Sequence, residues 1–183
     1  MKYGNKNPLT TDYNSQVALF ANGKAAIMQQ GNWSQLQIDA INPDLNVGIF
    51  SMPLGEDAEK NDKINVGVPA NLVVNKNSKV KEEAKTFLNW YVSSDIGKKY
   101  IVEKFKFIPA LSTIPATTED IGDIGAAVME YVAENKIFSL NAPKFPDGVS
   151  QEIASATQSF IAGKTDVNKM FDDINESWAG LSQ

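Results

Sequence analysis

Apolar residues recur at three- and four-residue spacing along most of this chain, which predicts helices joined by short polar connectors. Thr11 or Asp12 is placed to cap a first helix whose apolar side carries Val17, Ala18 and Phe20, and Asn22-Gly23 supplies its stop. Asn32 or Ser34 opens a second helix through Leu36, Ile38 and Ile41, ended by Asn42-Pro43. Asn75 to Ser78 caps a strong helix from Val80 to Val92 with Ala84, Phe87, Leu88 and Tyr91 on one face. Ser93-Ser94-Asp95 caps another through Ile96, Tyr100, Ile101 and Phe105. Thr117 or Thr118 starts a segment through Ile124, Val128, Tyr131 and Val132, with Glu119 and Asp120 in its first turn where the helix dipole favours them. Two more helices are expected from about Val149 to Ala162, stopped by Gly163, and from Asp166 to Ala179.

Strand signals are short and concentrated before Asn75. Ala25–Gln29, Val47–Met52 and Ile64–Val74 are the expected strands, the last interrupted by Gly67 and Pro69. That interruption implies either a bend that brings backbone amides toward a ligand or a plain edge strand. Pro109 and Pro115 mark one extended connector, and Asn141 to Gly148, with Phe145 inside it, marks a second. The loop from Leu54 to Lys63 carries five charged side chains before Lys63, Glu56, Asp57, Glu59, Lys60 and Asp62, but lacks the alternating oxygen ligands and central Gly of a calcium loop. It reads as a solvated turn rather than a metal cage.

Composition narrows the chemistry. The 183 residues hold no His and no Cys, which removes the usual near-neutral acid–base group, thiolate nucleophiles, zinc and iron–sulfur sites, and disulfides. All 17 basic residues are Lys, so no guanidinium fork is present to grip a carboxylate or phosphate. A small ligand, on this chemistry, is neutral and hydroxyl-rich. No cofactor and no metal is expected. A net charge of -5 without a basic run leaves no electrostatic footprint for nucleic acid or an anionic membrane. The opening MKYGNKNPLTT lacks an apolar core, so it reads as neither a signal peptide nor a membrane span, and an exported protein would carry its targeting segment elsewhere.

Five stretches in order, LFANGKAAIMQQGNW (Leu19 to Trp33), VGIFSMPLG (Val47 to Gly55), VGVPANLVVNKNS (Val66 to Ser78), EEAKTFLNWYVSSDIGKKY (Glu82 to Tyr100) and FIPA (Phe107 to Ala110), carry a further signal. Together with the closing GKTDVNKMFDDINESW, they resemble the carboxy-terminal half of the extracellular sugar-binding proteins of ABC transporters, the family 1 solute-binding group that includes maltose-binding protein. The resemblance implies an α/β, periplasmic-binding-protein type II-like (Venus flytrap) fold, here as a mostly helical fragment with a few short strands. It implies a non-catalytic receptor that closes around a carbohydrate and delivers it to a membrane permease. Family members are about twice this length. By that analogy residues 1–63 belong to the carboxy-terminal lobe, residues 64–112 to the amino-terminal lobe, and residues 113–183 return to the first. The implied location is extracellular or periplasmic, with a lipoprotein anchor in the full-length parent. A severed lobe would also expose apolar surface able to pair with a second copy.

Site residues follow from the same likeness. Trp33, after Gly31-Asn32, matches the position at which an aromatic lies against a sugar ring, whose apolar C–H face packs on a flat π system while its hydroxyls stay free. A core or interface Trp is the competing account. Asn32, Gln30 and Gln29 are amides able to donate to and accept from hydroxyls, or else turn and cap residues. Gly67, Val68, Pro69 and Asn71 correspond to a bent segment beside the family's cleft, and Phe145 and Asp147 to a connector that reaches the ligand. Phe145 could equally anchor its loop and Asp147 cap the next helix. Trp90, Tyr91 and Trp178 have core spacing. Two other function classes stand beside the receptor: a helical protein-interaction module, and a glycoside hydrolase pairing Asp147 with Asp95 or Glu103.

Overall fold

The computed structural model describes residues 4–53, 55–68, 71–139 and 145–182. Helix predominates: α1 Tyr13–Ala21, α2 Gln35–Ile41, α3 Ala58–Asn61, α4 Lys81–Ser93, α5 Asp95–Lys99, α6 Thr118–Ala133, α7 Val149–Ile161 and α8 Val167–Leu181. The described residues also form two three-residue strands, β1 Ile64–Val66 and β2 Ile137–Ser139. The chain forms two compact units, Met1–Gln16 with Leu140–Gln183, and Val17–Ser139.

Several predicted helix ends have a visible cause, whereas α2, α4 and α7 begin without a side-chain cap, Val80 rather than any of Asn75 to Ser78 preceding α4. Asp12 accepts from the Ser15 N–H at 2.8 Å to start α1. Gly23, at φ 68°, closes that helix, its N–H donating to the Phe20 carbonyl and the Lys24 N–H to that of Leu19. Ser94 caps α5 through the Gly97 N–H at 3.0 Å, and Asp166 caps α8 through the Lys169 N–H at 2.9 Å. Thr117 and Asp120 form a reciprocal capping box at α6, where Asp120 takes the Thr117 backbone N–H at 2.8 Å and its hydroxyl at 2.7 Å. Even the acidic loop contains a short helix, α3, whose first turn donates to Asp57.

The strands differ from expectation. Ala25–Gln29 and Val47–Met52 are irregular, and the long strand from Ile64 stops at Val66, before Gly67. A strand exists only where a neighbour accepts its backbone groups, and apolar composition does not supply that neighbour. Ile64 finds one in β2, which pairs with β1 in parallel register Ile64↔Ile137, Asn65↔Phe138 and Val66↔Ser139. Three residues carry too little periodicity for β2 to be read from a segment whose pattern is otherwise helical. A parallel pair requires a crossover, here supplied by the elements from α4 to α6. The β2 end of the pair is tied down by Lys136, whose ammonium bonds Glu134 at 2.8 Å and Asp62 at 2.9 Å. These two carboxylates raise the Lys136 pKa above its ordinary value, Glu134 most.

Among the described residues of 17–139, buried side chains gather at two places. Val17, Ala21 and Ile38 are buried where α1 and α2 approach, and the Asn42 side chain donates to the Ala21 carbonyl at 3.2 Å. Ile101, Val102, Ile114 and Ile121 form the second cluster, with Tyr91 and Ile108 against it. Burial raises the Tyr91 phenol pKa. The chain from Tyr100 to Lys104 widens into a π-helical turn after α5. Gly97 lets that region approach α4, since a Cβ there would collide with the Tyr91 backbone. In the other unit α7 packs on α8, with Val149 and Ala156 buried.

The two centres are linked by a buried polar contact. α6 is broken at Gly122, which sits at φ 76° and ψ 173°. The break deprives the following turn of an acceptor, and Gln35 Oε1 takes the Ile124 N–H at 2.9 Å in its place. Gln35 Nε2 donates in turn to Asp39 at 2.7 Å. Gln35→Met keeps the volume and removes the acceptor, so the buried N–H loses its partner. We expect a loss of about 1–3 kcal/mol in urea unfolding, and an unchanged midpoint would show the contact to be dispensable.

Acid lability should follow the α6 cap. The Thr117 hydroxyl and backbone N–H lower the Asp120 pKa. A carboxylate depressed by folding stabilises above its unfolded pKa and ceases to do so as pH falls through the folded value. The urea midpoint should therefore decline as pH drops from about 5 toward about 3, and Asp120→Asn should make that decline shallower.

Candidate functional site

Trp33 lies in a single 3-10 turn, Asn32–Ser34, that leads into α2. The turn is built by Ser34, buried, whose hydroxyl donates to the Gly31 carbonyl at 2.8 Å and whose backbone N–H donates to the same oxygen at 3.1 Å. Ser34 thus does not cap α2 with its side chain, as the sequence allows, but fixes the bend before Trp33. The indole is 53% exposed, which excludes a sealed core position. It is nevertheless held. Its Nε1–H donates to Gln30 Oε1 at 3.0 Å, and its six-membered ring lies over Gly31 so closely that a Cβ there would stand 2.6–2.7 Å from Cη2 and Cε3.

The Gln30-Gly31 bend borders a small concavity floored by Ile38 and walled by Phe20, Met28, Val47, Gly48, Ile49 and Ile124. Its volume of ≈ 50 Å³ is far below the roughly 300 Å³ at which ligand pockets begin, so it takes water and not a sugar ring. A larger, open hollow of ≈ 490 Å³ is lined by Lys6, Asn7, Pro8, Leu9, Thr10 and Ile161. Its polar side is an ordinary turn, with Thr10 and Thr11 both donating to the Asn7 carbonyl, and none of the predicted site residues lines it.

Asn32, the first residue of the turn, is half-buried beside the indole. Gly67, Val68 and Asn71 follow β1 and are exposed, Val68 at 59%. Pro69 lies outside the described residues. In the other unit Phe145 packs edge-on against Trp178, ring centroids 5.1 Å apart, an anchor for its loop. Asp147 is exposed, and the residue before α7 is the left-handed Gly148, so Asp147 does not cap that helix. The structure brings Asn32, Gln30 and Trp33 together. Gly31 and Ser34, which shape the bend, and Gln35 just beyond it were not predicted as site residues; the only hint was a Gly, without a Cβ, placed two residues before a Trp.

The aromatic face of α4 is core only at Tyr91, which packs against the second cluster. Phe87 is 57% and Trp90 42% exposed, and they pack on each other with centroids 5.7 Å apart. Of the carboxylates considered for hydrolysis, Glu103 is paired with Lys99 at 3.8 Å and Asp95 sits in the first turn of α5. Among the described residues there is no group of three acidic side chains able to hold a metal ion, and no helix is long and apolar enough to cross a membrane.

If the exposed indole serves a surface role, Trp33→Ala should cost less than about 1 kcal/mol in thermal unfolding. Ile38→Ala, at a fully buried position of α2, should cost about 2–5 kcal/mol. Equal losses would mean that Trp33 is a packing residue.

Residues 1–98 match the family model of bacterial extracellular solute-binding proteins. No curated protein matches the chain. With more than half of its length covered, the chain belongs to that family. Membership carries a periplasmic-binding-protein-like fold, a periplasmic or extracellular location, and a generally non-enzymatic role in binding a solute for transport.

Proposed function

From that membership we propose that the solute is a neutral carbohydrate and that the chain is the carboxy-terminal part of an ABC-transporter receptor, similar to maltose-binding protein, which hands its sugar to a membrane permease. The observation that carries this reading is the exposed, pinned indole of Trp33 beside the Gly31-Asn32 bend. A pyranose offers an apolar C–H face of matching shape, and stacking leaves its hydroxyls available. Asn32 is the nearest side-chain amide in sequence that can both donate and accept. The absence of Arg and His in the sequence fits a ligand without charge to neutralise.

In this reading Gly67, Val68, Pro69 and Asn71 contribute a second wall, and Phe145 and Asp147 a third, Asp147 accepting two hydroxyl hydrogen bonds. Residues 1–63 and 113–183 belong to one lobe and residues 64–112 to the other of a Venus-flytrap receptor, carried as a lipoprotein. Ligand that bridges the lobes favours the closed form because it contacts both faces only there.

The test is a titration of the full-length receptor with neutral mono- and oligosaccharides, followed by tryptophan emission and calorimetry. A saturable response to at least one saccharide is expected, weakened at least about fivefold in Trp33→Ala, as loss of an aromatic platform worth about 1–3 kcal/mol requires. Silence across the panel, or full affinity in Trp33→Ala, would overturn the assignment. Release of reducing ends from an oligosaccharide would instead mark a hydrolase.

A further inference from the structure

We propose that Gln30 is a positioning residue: its side-chain carbonyl holds the Trp33 indole flat over Gly31 in the ligand-free protein, so that the platform is formed before any ligand arrives. The inference rests on the stacking role of Trp33 for its consequence in binding, but the contact itself is independent of that role.

Three features converge on it. The indole N–H can only donate, and its partner is the Gln30 Oε1 at 3.0 Å, three residues back along the chain. That bond fixes rotation about the Cβ–Cγ axis. Gly31 supports the opposite requirement, because only a residue without a Cβ leaves room for the ring to rest on the backbone. Ser34 then holds the Gly31 carbonyl with two hydrogen bonds, from its hydroxyl and its backbone N–H. An exposed Trp without these restraints would occupy several rotamers and lose that freedom on stacking. Since Gln30 Oε1 is engaged by the indole, its part in recognition is to aim the ring, whereas direct contact with hydroxyls falls to neighbouring amides.

The indole N–H resonances of the intact chain test this without further tryptophan replacements, because the sequence has three Trp and Trp33→Phe identifies the signal. In Gln30→Leu, the Trp33 indole proton should shift upfield and acquire the steep temperature dependence of a water-exposed donor, with the Trp90 and Trp178 signals unmoved. Gln30→Glu, which keeps an acceptor, should restore the original signal. Saccharide affinity should fall roughly three- to tenfold in Gln30→Leu and recover in Gln30→Glu. A Trp33 signal unchanged in Gln30→Leu would overturn the inference. A signal that moves as described, in a protein whose wild type ignores every saccharide, would support the positioning of the ring and refute the carbohydrate assignment instead.

Discussion

One buried amide contact, Gln35 Oε1 to the Ile124 N–H, holds α2 against the break in α6. It joins residues 89 apart in sequence, and it is the kind of bond whose loss leaves a donor stranded without water. A Cβ at Gly122 would stand 2.8 Å from Gln35 Cγ, so the glycine both permits the break and admits the side chain that repairs it. The 3-10 turn bearing Trp33 runs directly into α2. The orientation of the exposed indole therefore depends on a helix anchored through its first residue.

Local chemistry made the helices legible. Asp12, Ser94, Thr117 and Asp166 act within three residues of themselves, and Gly23 and Gly163 stop helices because a left-handed residue there satisfies the last carbonyls. The strands were not legible, because a strand is a property of two segments. Val47–Met52 is as apolar as Ile64–Val66, yet only the latter has a partner ladder. The same limit explains α4. Its spacing identifies Phe87 and Tyr91 as one face, but periodicity states which side is apolar and not what lies over it, and Phe87 stays exposed.

The site was legible in part for a related reason. Gly31-Asn32-Trp33 is contiguous, so a bend carrying an aromatic can be read from three letters. What holds the ring there depends on side-chain choices among neighbours. Gln30 could have faced a ligand, solvent or the indole, and Ser34 could have capped α2; only coordinates distinguish these, through the bonds to Trp33 and to Gly31. Gln35 carried no signal, since a Gln at the start of a helix is ordinarily a surface residue.

Magnitudes also say what the platform can and cannot accomplish. A Trp side chain buries about 150–250 Å² when fully covered, so an indole with about half its surface open retains roughly 100 Å² to offer a ligand. At about 25 cal/mol per Å² that is close to 2.5 kcal/mol, less than the roughly 4 kcal/mol of a millimolar complex. The adjoining concavity adds no enclosure on the scale of a sugar. On the proposed reading, stacking on Trp33 alone is too weak for a transport receptor, and a second surface would have to cover the other face of a bound sugar ring. A receptor that closes in two lobes meets that requirement, because each wall can be weak by itself while their sum, realised only when both touch the ligand, drives closure. On the same reading, restraint of the ring by Gln30, Gly31 and Ser34 would matter most at this step, since ordering lost at one wall would subtract from a total that is small to begin with.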